Sequence, residues 1–130
     1  MSGRLFTPES AREIATKLEP LGAKLQASYE RLEAAAPRAQ ADQVVGGEHL
    51  SELLNFYESL AALAEAGVVL CDPAMRRFEL PARLRGRAVR LCWQLGSPLR
   101  IGWRDPSHSA PLLPVAGQSG WEEGRPKRVG

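Results

Sequence analysis

A chain of 130 residues with 44% hydrophobic and 25% charged content has the size and make-up of one globular domain with a modest core. Its longest apolar run, around Val68 to Cys71, is far short of the roughly 20 residues that span a bilayer, and Phe6 followed by acidic helical sequence is not a signal peptide, so the chain reads as cytoplasmic. The net charge is only +2, yet residues 1–66 hold 6 basic and 10 acidic side chains while residues 67–130 hold 11 and 5, which points to an anionic partner for the second half or to attraction between the halves.

The first element is a helix over about residues 7–36. Thr7 suits the N-cap, Pro8 the first helical position and Glu9 the positive end of the dipole, with Phe6 and Ala11 spaced as a hydrophobic staple. Ala11, Ile14, Leu18, Leu21, Leu25 and Leu32 form an apolar stripe, broken at Ser28, that faces a partner helix. Pro20 removes a backbone donor inside the pattern and predicts a kink or break, and Pro37 predicts the end. After a connection ending in Gly46-Gly47, a second helix over about 47–66 carries Leu50, Leu53, Leu54, Tyr57, Leu60 and Leu63, with Gly67 as its stop. Two helices joined this closely form an antiparallel hairpin.

The apolar period then drops to two. Strands are predicted over about 67–71, 77–80, 87–94 and 99–104, with turns at Asp72-Pro73 and Leu95-Gly96-Ser97-Pro98. Val89, Leu91 and Trp93 point one way and Arg90, Cys92 and Gln94 the other; Leu99, Ile101 and Trp103 likewise alternate with Arg100, Gly102 and Arg104. The sum is an α+β domain over 1–104, a helical hairpin packed on a small antiparallel meander. A flexible, Pro-, Gly- and Ser-rich tail follows over 105–130, in which Leu112, Leu113 and Val115 are able to pack back.

Several of these residues carry a family resemblance. Phe6-Thr7-Pro8-Glu9, Pro20, Gly86-Arg87, Val89, Leu91-Cys92-Trp93, Leu95-Gly96, Pro98 and Trp103 resemble the prokaryotic domain-of-unknown-function family 2203 over about residues 5–105, with LCWxLG as its core motif. The resemblance implies a helical pair followed by a small sheet, and no biochemical role. Members usually carry an acidic residue where this chain has Ser97 and usually a histidine where it has Arg104, so a polar or metal site built on those two positions is not carried over.

Arg90, Arg100 and Arg104 are expected on one face of the 87–104 hairpin, with Arg87 near its end. Like charges on neighbouring strands repel, and forked guanidinium groups suit phosphate or carboxylate, so these four are the candidate anion site. Trp93 and Trp103 are expected inward, as core or as the walls of an aromatic pocket. Cys71 and Cys92 read as two buried thiols. No cofactor or metal is implied, because His49 and His108 add no ligand spacing, and no catalytic constellation is visible. The chain is therefore read as a non-enzymatic interaction or scaffold protein, a homodimer through its helical hairpin, with no membrane partner. The alternatives are anion or nucleic-acid binding through the arginine face and a small enzyme with an aromatic pocket.

Overall fold

The computed structural model describes residues 4–42, 47–107 and 112–122. Helices α1 (Pro8–Asp42) and α2 (Gly47–Glu65) precede strands β1 (Val69–Asp72), β2 (Arg77–Leu84), β3 (Arg87–Gln94), β4 (Ser97–Arg104) and β5 (Leu113–Pro114). All neighbours in the sheet are antiparallel, in the order β1-β2-β3-β4-β5. The α+β architecture expected from the change of period is the observed one.

Thr7 and Ser10 begin α1 by exchanging hydrogen bonds: the Ser10 amide donates to Thr7 Oγ1 at 3.1 Å and the Thr7 amide to Ser10 Oγ at 2.9 Å. This reciprocal cap satisfies two donors that a helix start leaves orphaned. Contrary to the sequence expectation, α1 runs unbroken through both Pro20 and Pro37. Pro20 and Thr16 are both exposed, so the hydrogen bond that Pro20 cannot donate to the Thr16 carbonyl falls on the solvent side of the helix. Around Pro37 the chain is rich in alanine, the strongest helix former. At the end of α2, Val68 donates to the Leu63 carbonyl and Gly67 to that of Ala64, both at 2.9 Å, with Gly67 at φ 88°. This is a Schellman stop, and it turns the chain directly into β1.

The helices lie on one face of the sheet. Phe78, Leu80, Ala82 and Leu84 of β2, Val89, Leu91 and Trp93 of β3 and Ile101 of β4 are buried beneath them with Ala11, Ala15, Leu25 and Leu63. Trp93 is wholly buried and stacks on Phe78, ring centroids 4.7 Å apart. Gly22 lets α1 approach this pair, since a Cβ there would lie 3.1 Å from Trp93 Cη2 and 3.4 Å from Phe78 Cζ. Polar residues of α1 fix its direction across the sheet. Gln26 donates to the Pro73 carbonyl at 2.8 Å, and Glu30 pairs with Arg76 at 2.7 Å. Ser28 and Arg31 both bind Glu52 of α2.

β2 passes through Pro81 rather than ending before it. The Pro81 carbonyl accepts the Phe6 amide at 2.9 Å on the side away from β3. A strand residue presents its nitrogen and carbonyl to the same side, so this proline costs no bond to β3. Leu99 departs from the expected alternation and is 71% exposed. The ladder shifts here, with Trp93 opposite Ile101 but Gln94 opposite Ser97, which bulges residues 98–100 out of register.

Residues 112–122, in the segment read from sequence as a tail, lie against the sheet. Leu113 and Pro114 pair with Trp103 and Gly102, and Trp121 bridges Leu84 at the open end of β2. Arg85 donates to the Gly120 carbonyl and Glu122 to that of Arg83, at 3.0 and 2.9 Å. Trp121 meets Trp103 edge-on, centroids 6.2 Å apart. His108 and residues 123–130 lie outside the described residues.

Candidate functional site: the outer face of the sheet

The alternation that buries one face of β2, β3 and β4 turns the other outward, away from the helices. Register defines its rows. Pro81, Arg90 and Arg104 lie side by side, as do Glu79, Cys92 and Gly102, with Arg83 beside Ala88 and Arg77 beside Gln94 at the two ends. Arg100 lies in the β3–β4 bulge, exposed, beside the buried Ile101. The face therefore carries Arg77, Arg83, Arg90 and Arg104, with the exposed Arg100 at the bulge, against Glu79 and, at the Arg77 end, Asp72 of β1.

Glu79 is 8% exposed and sits at the centre of this charge. Arg104 donates to its Oε2 through Nε at 2.5 Å, which raises the guanidinium pKa further. Arg77 turns to Gln94 Oε1 at 3.3 Å. Among the described residues, Arg83, Arg90 and Arg100 have no carboxylate partner, and all three are exposed.

A shallow cavity of about 180 Å³ opens beside Glu79, walled by Cys71, Asp72, Arg77, Cys92, Arg104 and Leu112. Both cysteines reach it. Burial, and then the negative charge of Glu79, push the Cys92 thiol up to about 12 and the Cys71 thiol up to about 11. Both stay protonated at neutral pH, the opposite of an activated nucleophile. Cys71 on β1 and Cys92 on β3 are separated by β2, about 9–10 Å at ordinary strand spacing, which is beyond the reach of a disulfide. The sequence reading of two buried thiols fails for Cys71, which is exposed. It lies in the β1 bulge at the sheet edge, where β2 covers only one side. Among the described residues no three His, Cys, Asp or Glu side chains are grouped to hold a metal ion.

The other candidate residues fall elsewhere. Arg87, opposite the buried Leu84, belongs to the inward-facing set but sits at its rim, paired with Asp105. Trp93 donates to Glu19 of α1 at 2.9 Å, while Trp103, half-buried opposite Leu91, packs on Trp121. The indoles are thus diagonal neighbours with separate partners. Sequence reasoning passed over Arg77, Glu79 and Arg83. Their signal was the alternation RFELPARL, cut short by reading Pro81 as a strand end.

A second surface lies on the helical layer. Leu50, Leu54 and Tyr57 of α2 are 53%, 62% and 60% exposed and lie at i, i+4 and i+7 on one side. The helix carries Glu48, Glu52, Glu58 and Glu65 and no lysine or arginine. No helix among the described residues is long and apolar enough to cross a membrane.

The fold and this surface define a small α+β protein, a helical hairpin on an antiparallel meander whose outer face is arginine-rich. The chain belongs to the domain-of-unknown-function family 2203, described as an uncharacterised conserved protein, whose family model matches residues 4–104. No curated protein and no solved structure matches it.

Proposed function

We propose that this is a non-enzymatic, cytoplasmic interaction protein that works as a homodimer joined through its helical hairpin. The exposed row Leu50, Leu54 and Tyr57 carries the reading. Full burial of each such side chain contributes roughly 1.5–3 kcal/mol, a strong reason to cover the row. Two α2 helices packed antiparallel about a two-fold axis bring the row onto itself, with Leu54 of each copy nearest the axis and Leu50 of one copy against Tyr57 of the other. The hairpins of the two copies then form a four-helix arrangement.

Light scattering on the full chain at micromolar concentration tests the reading. The expected mass is twice the chain's 14.2 kDa. Leu54→Glu with Tyr57→Glu is expected to halve that mass while leaving the far-ultraviolet circular dichroism unchanged. A monomer mass for the unaltered chain overturns the proposal.

A further inference from the structure

We propose that the outer face of the sheet binds the phosphate backbone of a nucleic acid without reading its bases. This is independent of self-association through α2, because the two surfaces belong to opposite layers of the fold.

Charge comes first. Register turns Arg83 and Arg90 outward and Arg100 is exposed in the bulge of β4; all three are without a carboxylate partner among the described residues. Arg90 stands directly opposite Arg104, and Arg83 is its diagonal neighbour one row away. Such side chains lie about 5–8 Å apart, so their repulsion is relieved by a ligand that brings several anionic groups at short intervals. Of the carboxylates on this side of the sheet, Glu79 is neutralised by Arg104, and Asp72 of β1 lies at the Arg77 end, away from Arg83 and Arg90. With the acidic α2 on the helical layer, the molecule presents its positive side to an approaching polyanion.

The residues between the arginines decide the class of partner. They are Pro81, Ala88, Cys92 and Gly102, small or flat. An interface with another protein needs a large apolar or aromatic anchor at its centre; here the apolar side chains, Val69 opposite Glu79 on the edge strand and Leu112 over Gly102, stand to the side of Arg83 and Arg90. Stacking of bases needs exposed aromatic rings, yet Trp93 and Trp103 both belong to the inner face. What remains is fork-shaped donors on a rigid sheet, which suits phosphate oxygens and the polar, strongly positive character of nucleic-acid interfaces.

Fluorescence anisotropy of the full chain with labelled mixed-sequence oligonucleotides, single-stranded and duplex, tests this. Contact by about four arginines predicts an affinity loss of roughly 100-fold between about 50 and 200 mM salt, equal within about threefold for unrelated sequences. Arg83→Gln, Arg90→Gln and Arg100→Gln combined are expected to weaken binding at least about 20-fold at the lower salt and to flatten the salt dependence. All three side chains are exposed, so an unchanged thermal midpoint verifies that the variant folds. Four outcomes overturn the proposal. They are no binding at low salt, full binding by the variant, a strong base preference, and equal or tighter binding to anionic lipid vesicles.

Discussion

The Glu19 carboxylate of α1 holds Trp93 by accepting its indole N–H at 2.9 Å, and its other oxygen accepts the Gly96 amide at 2.5 Å. One side chain thus ties the first helix both to the largest core residue and to the β3–β4 turn. Glu19→Ala leaves the buried indole donor unpaired and is expected to cost about 2–3 kcal/mol. Glu19→Gln keeps an acceptor oxygen and is expected to lose about half as much. Urea unfolding, followed by tryptophan fluorescence, measures both. Equal stability of Glu19→Ala and the unaltered chain excludes the anchor.

Gly22 of α1 allows the contact that Glu19 fixes. Alanine gains about 1 kcal/mol of helix propensity over glycine at an open site. Here its Cβ would stand 3.1 Å from Trp93 Cη2 and 3.3 Å from Leu95 Cδ1. Trp93 has little room to yield, being stacked on Phe78 and hydrogen-bonded to Glu19. Crowding is expected to outweigh propensity, with a net loss of about 1 kcal/mol for Gly22→Ala and about 2–3 kcal/mol for Gly22→Val. A more stable Gly22→Ala in urea unfolding contradicts this close approach.

The inner face was readable because Val89, Leu91 and Trp93 alternate without interruption and all three are buried. The change of period after Gly67 likewise announced the passage from helices to sheet. Proline misled in both layers. Its cost depends on where the missing N–H would have pointed: at Pro20 along the exposed side of α1, at Pro81 away from β3. Local sequence carries neither fact. The pairing of Trp121 with Leu84, and of Glu79 with Arg104 across β3, joins residues distant along the chain. Such contacts leave no periodic trace. The exposure of Leu99 follows from a register shift that a count of alternate residues misses.

Stability is expected to be flat near neutral pH and to fall at both extremes. Arg76 holds the Glu30 carboxyl below its ordinary range, and Arg31 does the same for Glu52. A carboxyl depressed in the folded state stabilises above its unfolded pKa, and that contribution is lost as pH falls through the folded value. The thiols act in the opposite direction. Cys71 rises from 9.0 to about 11 and Cys92 from 9.0 to about 12, so the folded chain holds these protons more tightly. Their contribution is complete below pH 9 and lost as pH climbs toward the folded values. Thermal midpoints across pH are expected to drop above about pH 9, less steeply in Cys71→Ser. Glu79→Gln removes the negative charge that disfavours the thiolate. Alkylation of Cys71 by iodoacetamide is then expected to reach its half-maximal rate at lower pH, and an unchanged profile rules out the coupling.

Salt separates the two proposed surfaces by sign. Across an antiparallel α2 pair, both copies supply only glutamates, and Glu58 and Glu65 flank the row of Leu50, Leu54 and Tyr57. Like charges across an interface oppose association, and a Debye length of about 8–10 Å at ordinary ionic strength is short enough for added salt to relieve them. The dimer is therefore expected to tighten as salt rises from about 50 to 500 mM, by roughly three- to tenfold in dissociation constant, since each exposed charge pair counts for at most about 1 kcal/mol. Glu58→Gln should tighten it at low salt and reduce the salt effect. Binding of oligonucleotide to the arginine face must weaken over the same range. Sedimentation equilibrium and anisotropy on one preparation follow both. A dimer that loosens with salt would mean that opposite charges join the copies, and would move the interface away from an α2–α2 seam.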